Sequence, residues 1–334
     1  MLVSVIIPAY NEENTIESCL NSLLNQTIEK NSYEVIVVDD GSTDSTPEIV
    51  RKYPVRLLRQ RNSGPATARN LGAKNSSGEI ILFTDADCIA EPNWIEEMTS
   101  PFKDKEVIAV KGAYERGEGN LVMRFVQTEF EERYEILSKL NSIDMIDTYS
   151  AAFRRNIFME YGGFDTNFTK ANNEDTELSY RLVQTKCRMV FNPKAKVYHT
   201  GHPNTIFKYF KLKLRRGFWR VIVYKRFPDK ILTDTYTPKT LKFQVLISLL
   251  LLGTSVLGFL HSFFFYAFLS FLFLFLISSI PFIRFSLKKD TSIALLAPFF
   301  LMIRATAIGL GSVYGFVSNP FTSIGTKNTK NRGQ

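Results

Sequence analysis

Two rhythms of apolar and polar positions alternate along the first part of the chain. Short β-branched runs, LVSVIIP (2–8), YEVIVVDD (33–40), VRLLRQ (55–60) and EIILFTD (79–85), read as strands. Between them apolar residues recur at helical spacing. Ile16, Leu20, Leu23 and Leu24 mark one helix; TPEIVRKY and GPATARNLGAKN mark two more, with Pro47 and Pro65 where a proline suits a first helical turn and Thr46 as the expected N-cap. This βαβαβαβ order, with nearly continuous apolar strands, predicts an α/β fold: a Rossmann-like, mostly parallel central sheet with helices on both faces. KEVIAVKG (105–112) and DTYSAAF (147–153) continue as strands. NLVMRFVQTEFEERYEILSKL (120–140) and NEDTELSYRLVQT (173–185) continue as helices, and KVYHTGH (196–202) closes this part.

The pattern changes near Leu241, where the sequence turns largely to Leu, Phe and Ile. Segments 241–260 and 263–282 are each long enough to cross a bilayer and predict an all-α transmembrane hairpin broken at His261-Ser262. A third apolar stretch, 293–317, contains Pro298 and Arg304. It is either a third span or a re-entrant, interface-lying segment, since an arginine inside a span costs a few kcal/mol unless it snorkels. Arg284, Lys288 and Lys289 follow the second span while the break before it holds no cation. The positive-inside rule therefore expects a multi-pass protein of the cell membrane with its N-terminal part in the cytoplasm. If the third stretch crosses, Lys327, Lys330 and Arg332 fall on the wrong side for that rule. The expected organisation is a domain over 1–204, a basic amphipathic segment over 205–238, a membrane part over 239–320 and a polar tail over 321–334.

Charge matters mainly in the basic segment. The 334 residues carry 41 Lys and Arg against 33 Asp and Glu, a net +8. FKYFKLKLRRGFWRVIVYKRF (207–227) interleaves cations with aromatics, a pattern that nucleic acid or an anionic membrane surface would attract. The apolar segments directly after it select membrane lipid and not nucleic acid. The three cysteines, Cys19, Cys88 and Cys187, show no CxxC spacing and suggest neither a zinc site nor a disulfide framework. The opening LVSVIIP is too short for a signal peptide and is taken as the first strand.

Candidate chemistry gathers where the strands end. Pro8, Ala9, Tyr10 and Glu12 follow the first strand, Asp39 and Asp40 the second, Asp85 and Asp87 the fourth. Ligands of parallel α/β sheets bind outside these carboxyl ends. A lone DxD is equally compatible with a turn, an aspartate-type phosphohydrolase or a metal site. Three such ends on one edge make a bare turn a poor explanation.

In order, VSVIIPAYNE, VIVVDDGSTDST, ARNLG, FTDADC, GGFD and NEDTELSYRL resemble the motif series of family 2 glycosyltransferases with the GT-A fold, across residues 3–182. The resemblance implies an inverting transfer of sugar from a nucleoside diphosphate donor, UDP- or GDP-linked, with a divalent cation, Mg²⁺ or Mn²⁺, as cofactor. It assigns Asp87 to the metal and Asp85 to the metal or the ribose. Asp40 falls to the nucleobase, and Pro8, Ala9, Tyr10 and Glu12 to the nucleotide. Arg69 either answers phosphate charge or is an exposed helix cation. Asp175, of the Glu174-Asp175 pair, is the expected base, and Gly163, Phe164 and Asp165 form the acceptor-side turn. His199 is a further possible metal ligand. The membrane part, rather than these motifs, suggests a polyprenyl-linked or other glycolipid acceptor. The QxxRW motif of the family's processive members is absent. The competing readings are a phosphohydrolase and a non-catalytic membrane protein that keeps the fold.

Overall fold

The computed structural model describes residues 2–168, 173–184 and 187–318, so the tail expected at 321–334 lies outside the described residues. The N-terminal part runs β1 (Val3–Ala9), α1 (Ile16–Leu24), β2 (Tyr33–Asp39), α2 (Thr46–Val50), β3 (Arg56–Arg59), α3 (Pro65–Lys74), β4 (Ile80–Thr84), β5 (Cys88–Ala90), α4 (Trp94–Thr99), β6 (Val107–Tyr114), α5 (Leu121–Leu137), β7 (Ser150–Arg154), α6 (Arg155–Glu160), α7 (Glu174–Val183) and β8 (Arg188–His199). Helices α8 (Ile206–Arg226), α9 (Lys230–Thr233), α10 (Lys239–Leu257), α11 (Ser262–Leu287) and α12 (Thr291–Val317) follow.

Among the described residues the strands form one eight-stranded sheet in the order β3-β2-β1-β4-β7-β6-β8-β5. The first four pair in parallel; β7 is antiparallel to both β4 and β6, β8 is parallel to β6, and β5 is antiparallel to β8. The chain reverses its direction of travel across the sheet between β1 and β4, and at such a switch point the loops part and leave a crevice.

Side chains alternate across the strands and build a core on each face. Val3, Val5, Ile7, Val37 and Leu82 face α1, α4 and α5. Ile6, Ile36, Val38, Ile81 and Phe83 face α3, α6 and α7. The first core does not stop at the domain edge. Phe125 of α5 stacks on Phe300 of α12, 4.6 Å between centroids, and lies 5.5 Å from Phe282 of α11.

Some element ends differ from the sequence reading. Thr46 begins α2 instead of capping it; its buried hydroxyl accepts the Glu12 N–H at 2.8 Å and donates to Asp44 at 2.6 Å. His261, read as part of a break, is the N-cap of α11, its Nδ1 accepting the Phe263 N–H at 3.1 Å. Helices α10, α11 and α12 are all long and apolar enough to cross a membrane, with mean hydropathies of 1.8, 2.3 and 2.0.

Candidate active site

The loops after β1 and β2 are stitched into one wall. Asn11, held at φ 57°, accepts the Thr43 N–H on its Oδ1 at 2.8 Å and donates its own N–H to Ser42 Oγ at 3.0 Å. Asparagine tolerates this left-handed conformation better than most residues. Pro8 and Ala9 close β1, and Tyr10 points outward, exposed. Glu12 is partly buried, which raises its carboxyl above the usual range, and its Oε2 accepts the Thr15 hydroxyl at 2.7 Å. Asp40 is buried and already holds three donors: Gln60 Nε2 at 2.7 Å, the Ser63 N–H at 2.8 Å and the Gly64 N–H at 2.9 Å. It pins the loop before α3 beside β2. About one of its four lone-pair sites is left for a ligand.

Asp85 and Asp87 leave β4 in different directions. Asp85 Oδ1 accepts Arg69 Nη2 at 2.8 Å. Arg69 is buried, not an exposed helix cation, and its Nη1 donates to Glu174 Oε1 at 3.0 Å. One guanidinium thus ties the acid after β4 to the acidic pair opening α7, although 105 residues separate Arg69 from Glu174. Burial opposes the Arg69 charge, but Asp85 and Glu174 outweigh it and raise its pKa.

Asp87 meets His199 instead. Strand β5 begins one residue after Asp87 and pairs with the end of β8 in the register Cys88↔His199. Asp87 Oδ2 comes to 3.0 Å from His199 Nε2. Burial alone would raise the Asp87 pKa, yet the hydrogen bond and charge of His199 hold it below the usual range. His199 Nδ1 lies 2.9 Å from Nδ1 of His202, whose Nε2 lies 3.4 Å from Gln127 Oε1. The Thr200 N–H donates to the Asp87 carbonyl at 3.1 Å.

Gly201 completes the cradle. A Cβ there would stand 2.3 Å from Asp87 Oδ2 and 3.2 Å from His199 Nε2, so only glycine leaves this space open. Two ligand atoms 3.0 Å apart suit neighbouring positions on a small octahedral cation with bonds of about 2.1 Å. Buried Cys88 belongs to the same cluster, but burial pushes its thiol well up, so the donors fit a hard ion through oxygen and imidazole nitrogen.

On the opposite side, Asp175 Oδ1 accepts the Thr176 N–H at 2.7 Å at the start of α7. Burial, then Glu174 and Asp147, raise its carboxyl to about 7. Asp147 is buried and pairs with the fully buried Lys111, while its Oδ1 accepts Tyr236 Oη at 3.2 Å. The GGFD turn packs behind this end. Asn70 holds Phe164 by both backbone groups, at 2.8 and 2.9 Å. Arg181 donates to the Gly163 carbonyl at 2.7 Å, and Asp165 pairs with Arg226 of α8 at 2.7 Å. Gly163, Phe164 and Asp165 therefore support α7 and α8 from outside, and none of them lines the cavity described next.

That cavity, of about 490 Å³, takes in Arg69, Asp85, Asp147, Glu174 and Asp175. Another part of its wall comes from α8, α10 and α12: Arg215, Arg216 and Arg220 supply charge, and Leu241, Val245 and Ile308 supply apolar surface. Arg220 donates to Thr237 at 2.8 Å; no hydrogen bond or ion pair engages Arg216 among the described residues. The sequence reading did not single out Asp147, Lys111, Gly201 or the arginines as site residues.

Comparison with known proteins bears on the family and the fold. The model of the family "Glycosyl transferase family 2" matches residues 4–162. Glycosyltransferase AglE of Haloferax volcanii is 35% identical over 199 residues, 54% of this chain and 63% of that protein. Validoxylamine A glucosyltransferase of Streptomyces hygroscopicus subsp. limoneus is 29% identical over 215 residues, 54% of this chain and 48% of that protein. The chain thus spans less than two thirds of the length of these curated relatives. The structure of mannosyltransferase PcManGT from Pyrobaculum calidifontis, in complex with GDP-Man and Mn²⁺, superposes with a TM-score of 0.61 at 19% identity, covering 94% of this chain and 87% of that one. That likeness shows a shared GT-A fold. The match to glycosyl transferase family 2 thus lies in the N-terminal domain, over residues 4–162.

Proposed function

We propose that the protein is a membrane-bound inverting glycosyltransferase, moving a sugar from a nucleoside diphosphate donor to a lipid-linked acceptor at the cytoplasmic membrane face. The observation that carries this reading is the single cavity in which Asp85 and Asp175 share walls with the basic face of α8 and the apolar face of α10. An amphiphile with an anionic head and a chain matches that change of lining.

Donor and acceptor chemistry separate across Arg69. On the donor side Asp87 and His199, with Asp85 beside them, would hold a divalent cation, Mn²⁺ or Mg²⁺; bound there, it would offset charge on the diphosphate leaving group. The related fold that holds GDP-Man and Mn²⁺ is consistent with this choice. The wall of Pro8, Ala9, Tyr10, Glu12 and Asp40 would receive the nucleotide. On the acceptor side Asp175 takes the proton of the attacking hydroxyl. That oxygen bonds to the anomeric carbon from the face opposite the leaving diphosphate, which departs with the electrons of the glycosidic bond. A base poised near neutrality suits this step, because it is ionised at working pH yet basic enough to take the proton. Arg69 holds Asp85 and Glu174 in place through its two Nη donors without competing for that proton. Since Asp85 is committed to Arg69, it is poorly free to act as the nucleophile of a phosphohydrolase.

The test supplies purified full-length protein with labelled UDP- and GDP-sugars, Mn²⁺ or Mg²⁺, and a membrane lipid extract. The expected result is metal-dependent transfer of label into the organic phase, in a product whose anomeric configuration is opposite to the donor's. Release of phosphate from simple monoesters without sugar transfer would overturn the proposal.

A further inference from the structure

We infer that α12 does not cross the membrane but lies flat beside α8 in the headgroup layer, so that the chain crosses the bilayer twice, through α10 and α11. The inference rests on the membrane association proposed above but not on the reaction.

The geometry starts from α8. Between Lys208 and Arg226 it carries eight Lys and Arg, too many for a helix buried in lipid. It is fastened to the catalytic domain along its whole length. Just before it, Asn120 Nδ2 donates to the Asn204 carbonyl at 2.7 Å. In its first half, Tyr209 Oη donates to Glu129 Oε2 at 3.0 Å and Lys213 Nζ pairs with Glu129 at 2.9 Å. At its end Arg226 pairs with Asp165 at 2.7 Å. Helix α8 therefore lies across the base of the domain.

Helix α12 follows the same line. A Cβ on Gly311 would stand 2.0 Å from the Leu214 carbonyl oxygen, and one on Gly217 would stand 2.3 Å from that of Ile308. Gly315 meets Phe218 in the same way, and Lys225 Nζ donates to the Gly315 carbonyl at 3.3 Å. Tyr209 and Phe300 both pack on Phe125 near one end, and Lys225 meets Gly315 near the other, so the two helices run parallel with backbones nearly touching. The other end of α12 is fixed too. Asp290 caps it and forms a two-pronged pair with Arg124 of α5, at 2.8 and 2.6 Å. Midway, Arg304 Nη1 donates to Glu129 at 3.2 Å and Nη2 to Gln244 at 2.9 Å.

Start, middle and end of α12 are thus all held to the catalytic domain or to α8, along a rod of about 40 Å. A span would leave the domain after its first turns. Cover by protein separates the three apolar helices in the same sense. Half of the most apolar stretch of α12 is buried, against 28% for α10 and 11% for α11. Past Thr291 and Ser292 at its start, what α12 leaves exposed is mainly apolar, Leu295, Phe299, Val313 and Phe316 among it. That face suits the acyl boundary below the headgroups, while exposed Lys211 and Arg215 of α8 suit the anionic headgroups beside it. By contrast, the α10–α11 turn presents Phe259, Leu260, Phe263 and Tyr266 fully outward, as the tip of a hairpin standing away from the domain. The platform also removes the conflict with the positive-inside rule, because the chain past Val317 emerges on the catalytic side.

Sidedness tests this directly. In full-length protein carrying Cys187→Ser, single cysteines are placed at Lys105 (catalytic domain), His261 (α10–α11 turn) and Ser318 (end of α12). A membrane-impermeant maleimide is added to sealed vesicles of both orientations. The inference expects Ser318→Cys to label in the same vesicles as Lys105→Cys, and His261→Cys only in the opposite ones. Labelling of Ser318→Cys together with His261→Cys, or in neither orientation until detergent is added, overturns it, as does labelling of all three from one side. These outcomes do not depend on sugar transfer, so a failure of the proposed activity would leave them readable.

Discussion

Replacing Gly201 by alanine probes the metal cradle without touching any proposed ligand. The new Cβ would lie 2.3 Å from Asp87 Oδ2, where an ordinary contact is about 3.5 Å, so more than an ångström of overlap must be relieved. The backbone cannot yield easily, because the neighbouring Thr200 donates both its N–H and its hydroxyl to the Asp87 carbonyl, at 3.1 and 3.0 Å. The Asp87 carboxylate must turn instead. Leaving its rotamer well by some 30° costs about 0.5–1.5 kcal/mol. Breaking its alignment with His199 adds the penalty of losing an oriented ligand, about 10- to 100-fold in metal affinity. Titration of Mn²⁺ into the purified full-length variant in the presence of UDP should therefore show a dissociation constant raised about 10- to 100-fold, with an unchanged circular dichroism spectrum. A constant within twofold of the wild type's would refute the placement of the cation between Asp87 and His199.

The remaining predictions concern charge. Because the folded Asp175 carboxyl titrates near 7 instead of 3.8, the native state keeps a proton that the unfolded chain has lost between those values. Stability should fall as pH rises across that window, by at most about 4 kcal/mol. Asp175→Asn removes the fall, so thermal denaturation should show the variant gaining on the wild type from pH 5 to pH 8; a constant difference would contradict the shift. Arg304→Ala leaves Glu129 buried with Lys213 and Tyr209 but without its third partner, and should destabilise the protein by about 3 kcal/mol, measured as a lower melting temperature in detergent. Arg216→Ala removes an unengaged cation from the cavity wall and should raise the KM for a lipid-phosphate acceptor about tenfold, the loss of one charge-assisted hydrogen bond, while leaving nucleotide affinity as it was. Steady-state kinetics with acceptor and donor varied separately would read both.

The catalytic fold was legible because each of its early strands carries its own signal. Val3, Val5 and Ile7 fill one core and Ile6 the other, so these runs cannot be surface loops. The acids at the ends of β1, β2 and β4 follow once the strands are parallel, since parallel register brings those ends to one edge. The other half of the site was not legible. Strand β5 is three residues long, too short to show a period, yet its pairing with β8 is what delivers His199 to Asp87. Asp147 and Lys111 sit inside buried strand-like stretches, and nothing local says that each neutralises the other. Gly201 betrays no purpose in sequence, because the space it spares belongs to Asp87, more than a hundred residues earlier. Arg304 looked like a penalty within an apolar run; its partner is Glu129, on α5 and 175 residues away.

The central claim is a division of labour across Arg69, with Asp85 and Asp87 serving the donor and Asp175 the acceptor. Measuring nucleotide-sugar binding and sugar transfer side by side in Asp175→Asn tests it most directly. The account predicts donor affinity within about twofold of the wild type and a transfer rate lower by about 10²- to 10⁴-fold, the usual contribution of a positioned base. Transfer at the wild-type rate, or donor binding lost in step with it, would contradict the account.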